Sequence, residues 1–382
     1  MNNNVLHTPL CDMFGIKYPI VLAGMGYTSG PMLTAAVSNA GGLGVLGAAS
    51  FTIEQLPEMI ARTRALTDKP FGVDLPMPPQ LDDIPVDATE ETLKLMFPKE
   101  VVAYAQKFGE EQGIPKAKGL AGLQVFSIAY TREIFKICIK EKIPLFVSAV
   151  GDPSWCVAEA HEHGMKVMSV CGLVRQGRRL TKNGVDLIVA QGTEAGGHTG
   201  RIGTMPLVPQ MVDAIKPKPV LAAGGIADGR GIAAALALGA IGVWLGTRFV
   251  ATKEANVESI ELGYTTRWEV DAIQKRILAA TEDDTTITRT LTGKTLRTIK
   301  NKFQGTWEAQ QGPILKTPLQ NVLVADLQQG VREGQKEEYV YPVAGQISGM
   351  IKEVKPAAQV VEELVEDTIH VLERVRSIKI NR

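Results

Sequence analysis

Short, unbroken apolar runs alternate with amphipathic helical patterns along the first 250 residues, and this rhythm restricts the chain more than any other property of its sequence. Eight runs stand out: Pro19–Met25, Leu43–Ala49, Pro70–Leu75, Pro144–Val150, Lys166–Val170, Asp186–Gln191, Pro219–Gly224 and Gly242–Thr247. Runs that are continuous rather than alternating are what strands covered on both faces require. Between them lie helical patterns over Met32–Ala40, Ile53–Ala65, Thr131–Glu141, Pro153–His163, Val174–Asn183, Pro206–Ile215 and Gly229–Leu238. Strands that alternate with helices in this way predict βαβ units and a parallel sheet.

Most repeats are about 20–30 residues long, the spacing of a TIM (β/α)8 barrel. The same alternation also serves a doubly wound open sheet, so the pattern alone leaves both in play. Glycines favour the barrel. Gly24 and Gly26 follow the first strand, Gly192 the sixth, Gly224 and Gly225 the seventh, and Gly246 closes the eighth. In a barrel all these ends converge on one face, where backbone amides can approach an anion with no Cβ in the way. The paired loops after strands seven and eight, LAAGGIADGRG and GVWLGTRF, are where barrels place a phosphate site beside a short helix N-terminus.

Two stretches break the rhythm. Residues 76–130 carry Pro76, Pro78, Pro79 and Pro85, then helical material near Glu90–Gln112, and read as an insertion on the functional face. From about residue 251 the chain becomes mostly polar helix and loop, ending in an amphipathic helix with Ala357, Val360, Val361, Leu364 and Ile369 near one face. The expected organisation is therefore a barrel from 1–75 and 131–250, an insertion at 76–130, and a helical or lid region at 251–382.

Charge excludes some roles. The 41 basic and 41 acidic side chains cancel and form no basic tract, so no phosphate-neutralising surface for nucleic acid is expected. Four scattered cysteines, Cys11, Cys138, Cys156 and Cys171, without CxxC spacing, read as reduced thiols of a cytoplasmic protein. The N-terminal residues lack a leader's basic and apolar regions, and no apolar run reaches the roughly 18–20 residues of a membrane span.

The chemistry-bearing segment is QGTEAGGHTGRIGT, residues 191–204, which leaves the sixth strand. A histidine on a glycine-rich loop at the rim can reach a bound substrate, and an ordinary imidazole pKa suits proton abstraction near neutrality. His198 is that histidine, against the plainer reading of a surface side chain on a flexible loop. The literal G-x-G-x-x-G at Gly42–Gly47 misleads: it follows a helix and lies within a strand, whereas a dinucleotide fingerprint follows a strand and opens a helix.

Taken in order, GIKYPIVLAGMG, NAGGLGVLGAAS, PFGVDLP, QGTEAGGHTGR, VLAAGGIADGRG and GVWLGTRF resemble the successive motifs of the nitronate monooxygenase (2-nitropropane dioxygenase) family, related to FMN-dependent enoyl-acyl-carrier-protein reductases. DTTITRTLTGKTLRTIKNKF and AGQISGMI are similar to the same group. EAGGH is the most specific piece. The resemblance implies non-covalent FMN across the strand ends, lined by Ala23, Gly24 and Met25, with Gln191 at its polar edge and Gly196 and Gly197 beside it. Gly224, Gly225, Gly246 and Thr247 would hold the phosphate, and His198 would be catalytic. Asp74 stands where the family commonly carries Asn, so an acceptor-only carboxylate would replace an amide that can donate.

Two chemistries follow from the resemblance. One is oxidation of a nitronate or nitroalkane with O2, with His198 orienting the anion or removing an α-proton. The other is NAD(P)H-dependent reduction of an enoyl or other acyl thioester, carried on CoA or an acyl carrier, which the long insertion would suit. A flavin-free barrel is a third class and predicts a colourless protein. The expected partner is a small molecule or acyl thioester, with no nucleic acid or membrane, and a homodimer is left open. Remaining features have plain readings. His161 and His163 are spaced wrongly for a helical metal pair, so no metal is expected. Cys171 reads as a small buried or rim thiol, Glu194 as either a loop-orienting or a solvated carboxylate. Arg175, Arg178 and Arg179 read as surface charge, with contact to a phosphorylated substrate the lesser alternative. Asp283 and Asp284 precede a polar run expected to pack across the barrel mouth and have no assigned role.

Overall fold

All eight apolar runs are strands, each shorter than its run because the ends turn into rim loops. In a computed structural model that describes residues 6–77, 87–120, 123, 125 and 127–378, they are β1 (Ile20–Leu22), β2 (Gly44–Gly47), β3 (Phe71–Asp74), β4 (Leu145–Ser148), β5 (Lys166–Cys171) and β6 (Leu187–Gln191). A two-residue strand, β7 (Gly197–His198), lies outside the sheet, and β8 (Val220–Ala223) and β9 (Gly242–Leu245) complete it. The eight sheet strands pair in parallel in the order β1-β9-β8-β6-β5-β4-β3-β2. Closure comes from a parallel bridge, Val21 to Leu43, with Leu22 N–H to Leu43 O and Leu43 N–H to Ile20 O both at 2.9 Å. The sheet is a TIM barrel.

Strand periodicity separates two cores. Val21, Val45, Leu145, Val147, Met168, Val189, Leu221 and Trp244 fill the barrel lumen, and Leu10, Cys11 and Phe14 of the helix Pro9–Phe14 join them. Their neighbours, such as Leu22, Leu46, Val73, Phe146, Ile188, Ala222 and Leu245, face the surrounding helices. Gly44 and Gly47 of the misleading glycine motif lie inside β2, where a Cβ on Gly44 would come within 2.1 Å of the Thr34 carbonyl oxygen. Those glycines serve close packing.

The segment 87–120 and the region after 251 share a core of their own. Val101, Ala105 and Phe108 of the helix Lys99–Glu111 pack on Phe303, Trp307 and Leu323, with Phe303 and Trp307 rings stacked at 5.6 Å and Phe108 5.0 Å from each. The prolines at 78, 79 and 85 lie outside the described residues. The region after 251 is mostly helical and also holds an antiparallel hairpin, β10 (Thr285–Thr288) and β11 (Leu296–Ile299), which the polar sequence does not announce. β11 pairs with β7, placing Leu296 opposite His198 and Arg297 opposite Gly197. The last helix, Ala357–Arg376, packs on the helices Gly229–Ala237 and Pro31–Asn39, on the flank of the barrel. No described helix is long and apolar enough to cross a membrane.

Candidate active site

At the carboxyl ends of the strands lies a cavity of about 510 Å3, within the size range of small-molecule sites. Its barrel side is formed by Ala23, Gly24, Met25, Asp74, Gln191, Gly224, Gly225, Gly246 and Thr247, and its edge by Gly196, Gly197 and His198. All twelve site residues read from the sequence therefore line one space. The opposite side comes from the late region: Leu291, Leu296, Gln328, Arg332, Tyr341 and Val343. Leu291 and Leu296 belong to the run expected across the barrel mouth, whereas no local motif marks Gln328, Arg332, Tyr341 or Val343, and the sequence reading missed these four. Gln328 carries a buried Nε2 without a hydrogen-bond partner among the described residues, and Arg332 is held by Glu269 at 2.7 Å.

Backbone geometry explains the glycines at β8. Gly224 and Gly225 have φ of 88° and 71°, in the left-handed region that disfavours a side chain. On Gly224 a Cβ would also stand 2.9 Å from the Gly192 carbonyl oxygen. After β9 the chain turns directly into a short helix, Thr247–Val250, whose first amides have no intrahelical acceptor. The Thr247 hydroxyl accepts from Gly345 N–H at 2.9 Å, tying this cradle to the late region.

The loop carrying His198 is braced from three sides. Glu194 accepts from Thr204 N–H at 3.0 Å and from its hydroxyl at 2.9 Å, which caps the helix Thr204–Ile215 from a distance. That resolves the open reading of Glu194: it orients the loop. Arg297, buried, donates Nε to the Thr193 carbonyl at 3.0 Å and Nη1 to the Thr285 hydroxyl at 2.9 Å. Gln191 donates its side-chain amide to the His198 carbonyl oxygen at 2.5 Å.

Two titrations differ from the sequence expectation. Burial, with the Lys294 charge nearby, pushes His198 from its ordinary 6.5 down to about 4. The imidazole is thus neutral near pH 7 and a weaker base than a free histidine. Its Nε2 lies 3.0 Å from the Thr292 hydroxyl, which is also 3.2 Å from the Lys294 carbonyl oxygen. Asp74 was expected to act only as an acceptor. Burial raises its pKa well above the carboxylate range, and the Ala149 and Leu75 amides offset this only in part. Its Oδ1 is buried without a partner among the described residues. A protonated Asp74 regains a donor and so matches an amide in hydrogen-bonding capacity.

Other residues singled out in the sequence have ordinary surroundings. Burial raises the Cys171 thiol to about 12, which leaves it inert as a nucleophile. His161 bonds Asp186 at 2.9 Å and His163 bonds the Glu159 carbonyl at 2.9 Å. Asp284 accepts from Thr281 N–H at 2.8 Å, and Asp283 pairs with Lys300 at 3.2 Å. Among the described residues no group of His, Cys, Asp and Glu is arranged to hold a metal ion.

Comparison with known proteins agrees with this layout. Residues 7–367 match the family model described as nitronate monooxygenase. A protein of Staphylococcus aureus (strain MSSA476) described as a probable nitronate monooxygenase is 32% identical, over 93% of this chain and 96% of its own. Among solved structures, FabK from Thermotoga maritima is 31% identical with a TM-score of 0.73, covering 97% of this chain and 99% of its own. Nitroalkane oxidase from Streptomyces ansochromogenes is 29% identical with a TM-score of 0.76, covering 96% and 99%.

Proposed function

Because the chain belongs to the nitronate monooxygenase family and is an oxidoreductase, we propose that it binds FMN in the 510 Å3 cavity and oxidises a nitronate or nitroalkane with O2. The observation that carries this reading is the convergence of a glycine cradle, the buried unpartnered Oδ1 of Asp74 and neutral His198 on that one space. The residues present fit the cofactor. Gly224, Gly225, Gly246 and Thr247 would hold its phosphate with main-chain amides, and Gly24, Asp74, Gln191 and Gly197 would border its ring. When bound, the flavin supplies the electron acceptance and the reaction with oxygen.

The chain's own residues supply position and charge. A nitronate is already an anion and needs no base. Neutral His198 with Lys294 beside it offers a hydrogen-bonding group in a positive potential, which orients such an anion without adding a like charge. If the Thr292 hydroxyl proton points to the Lys294 carbonyl, His198 carries its proton on Nε2 and keeps Nδ1 as acceptor. With a pKa near 4, that nitrogen suits a hydrogen bond to substrate better than removal of a nitroalkane α-proton, which favours the preformed nitronate as substrate. The four buried free thiols fit a cytoplasmic setting.

The test is His198→Ala assayed with nitronates, alongside the visible spectrum of the purified protein. Expected are a retained yellow cofactor and turnover reduced about 100-fold. Unchanged turnover with intact FMN rejects the role of His198, and a colourless wild-type protein rejects the flavin. A second reading, NAD(P)H-dependent reduction of an acyl thioester, is favoured by one observation: a larger cavity on the other side of His198. Rapid bleaching of the flavin on anaerobic mixing with NADPH would support it.

A further inference from the structure

Buried polar atoms without partners are uncommon in folded proteins, and each needs a reason. Among the described residues, two such side-chain atoms border the proposed flavin cavity: Asp74 Oδ1 on the barrel side and Gln328 Nε2 on the roof. The flavin reading accounts for Asp74 and leaves Gln328 unused. A buried amide donor with nothing to meet costs stability unless a ligand accepts from it. Gln328 sits on the helix Leu319–Glu333 one turn before Arg332, and residues so spaced share a helix face. The polar groups around it are engaged elsewhere. Arg332 donates Nε to Glu269 Oε2 at 2.7 Å and Nη1 to Gln329 Oε1 at 3.2 Å, and Glu269 also accepts from the Thr265 hydroxyl at 2.7 Å. Arg332 and Glu269 both line the cavity, so their charges cancel at this end. The Tyr341 hydroxyl is bonded to Thr290 at 2.7 Å. Leu291, Leu296 and Val343 complete the roof as apolar surface. This end therefore offers a ligand an uncharged donor in an apolar, charge-balanced wall.

We propose that the roof is a second recognition point for the substrate, selecting a nitronate whose far end carries a neutral carbonyl oxygen that accepts from Gln328 Nε2. The proposal rests on the flavin reading and names the substrate class of that same site. A carbonyl satisfies the buried amide and brings no charge to desolvate. An alkyl end of the same shape leaves the amide without an acceptor, and a site built around a hydrogen bond rejects analogues that lack it. A carboxylate end is disfavoured for a different reason. Burial strips its water, Arg332 is balanced by Glu269, and the Glu269 charge on the same wall repels it. The two ends of the substrate are thus read separately: His198 meets the anionic nitro group, and Gln328 meets the uncharged end.

The experiment uses the FMN-loaded protein and three nitronates of one shape and chain length, ending in a methyl ketone, an isopropyl group or a carboxylate. The ketone should exceed each of the others in kcat/KM by about ten-fold, the effect of one neutral hydrogen bond. Gln328→Leu should bring the ketone-to-isopropyl ratio to about one. Glu269→Gln keeps an oxygen for Arg332 while removing the balancing charge. It should raise the carboxylate-to-ketone ratio about ten-fold, which mere loosening of the roof would not do. Anaerobic calorimetry with the three un-ionised nitro compounds reads binding without turnover, and the ketone should bind about ten-fold tighter than the isopropyl compound. Equal kcat/KM for the ketone and isopropyl nitronates, a wild-type preference for the carboxylate, or a ratio unmoved by Gln328→Leu overturns the proposal and leaves nitronate oxidation standing. If no nitronate is oxidised, the main functional reading fails and calorimetry alone decides the subsite. A tighter ketone then upholds it, and equal or absent binding overturns it.

Discussion

At the scale of single residues, His198 and Asp74 titrate against each other. His198 has a folded pKa near 4 and an ordinary one near 6.5, so its contribution to stability is complete above 6.5 and lost as pH falls toward 4. Asp74 has a raised folded pKa. Its contribution is complete below the ordinary 3.8 and is lost as pH rises through the higher folded value. In the window where the two titrations overlap the slopes oppose, each no steeper than about 1.4 kcal/mol per pH unit. Replacing one group should expose the other. In Asp74→Asn, thermal melts should show stability falling with acidification through that window and no loss on the alkaline side. In His198→Asn, the melts should show stability falling as pH rises. Superimposable Tm–pH curves for wild type and both variants would refute the assignments. Asp74→Asn should also retain the cofactor, since an amide keeps the donor that the protonated acid supplies.

At the scale of elements, the loop from β6 to the helix Thr204–Ile215 depends on Glu194 and Arg297 more than on its own conformation. Glu194→Ala should destabilise by about 1–3 kcal/mol, because it strands the Thr204 amide, while the Thr204 hydroxyl keeps the Gly224 carbonyl oxygen at 2.9 Å. It should weaken FMN retention while leaving the barrel's far-ultraviolet dichroism intact. Urea melts and flavin titration measure the two effects. This loop also marks the limit of what the sequence reveals. The eight barrel strands and the glycines at 224, 225 and 246 were legible because burial on both faces and backbone crowding leave a local imprint: unbroken apolar runs ended by Gly. The hairpin β10–β11 was not legible. Thr285–Thr288 reads as polar loop, and it becomes a strand by pairing with β11, which is itself anchored on β7 about 100 residues earlier. The His198 pKa was hidden for the same reason, since the burial and Lys294 that lower it are tertiary.

At the scale of the molecule, two cores meet over the site: the barrel, and the roof built by residues 87–120 with the region after 251. The roof's aromatic centre holds it together. Trp307→Ala should cost about 3–5 kcal/mol. Hydrogen exchange should then show amides of Lys99–Glu111 and β11 losing protection while β4, β5 and β6 keep theirs. Equal loss across both would show a single cooperative unit. A fragment ending at Val250 would carry all eight staves and all twelve site residues read from the sequence, but none of the roof residues Leu291, Leu296, Gln328, Arg332, Tyr341 and Val343. It would still lack the Gly345 tie to Thr247 and the helix Ala357–Arg376 against the flank. Such a fragment should purify colourless and inert by visible spectrum and nitronate assay, so cutting after the barrel should abolish the proposed chemistry outright.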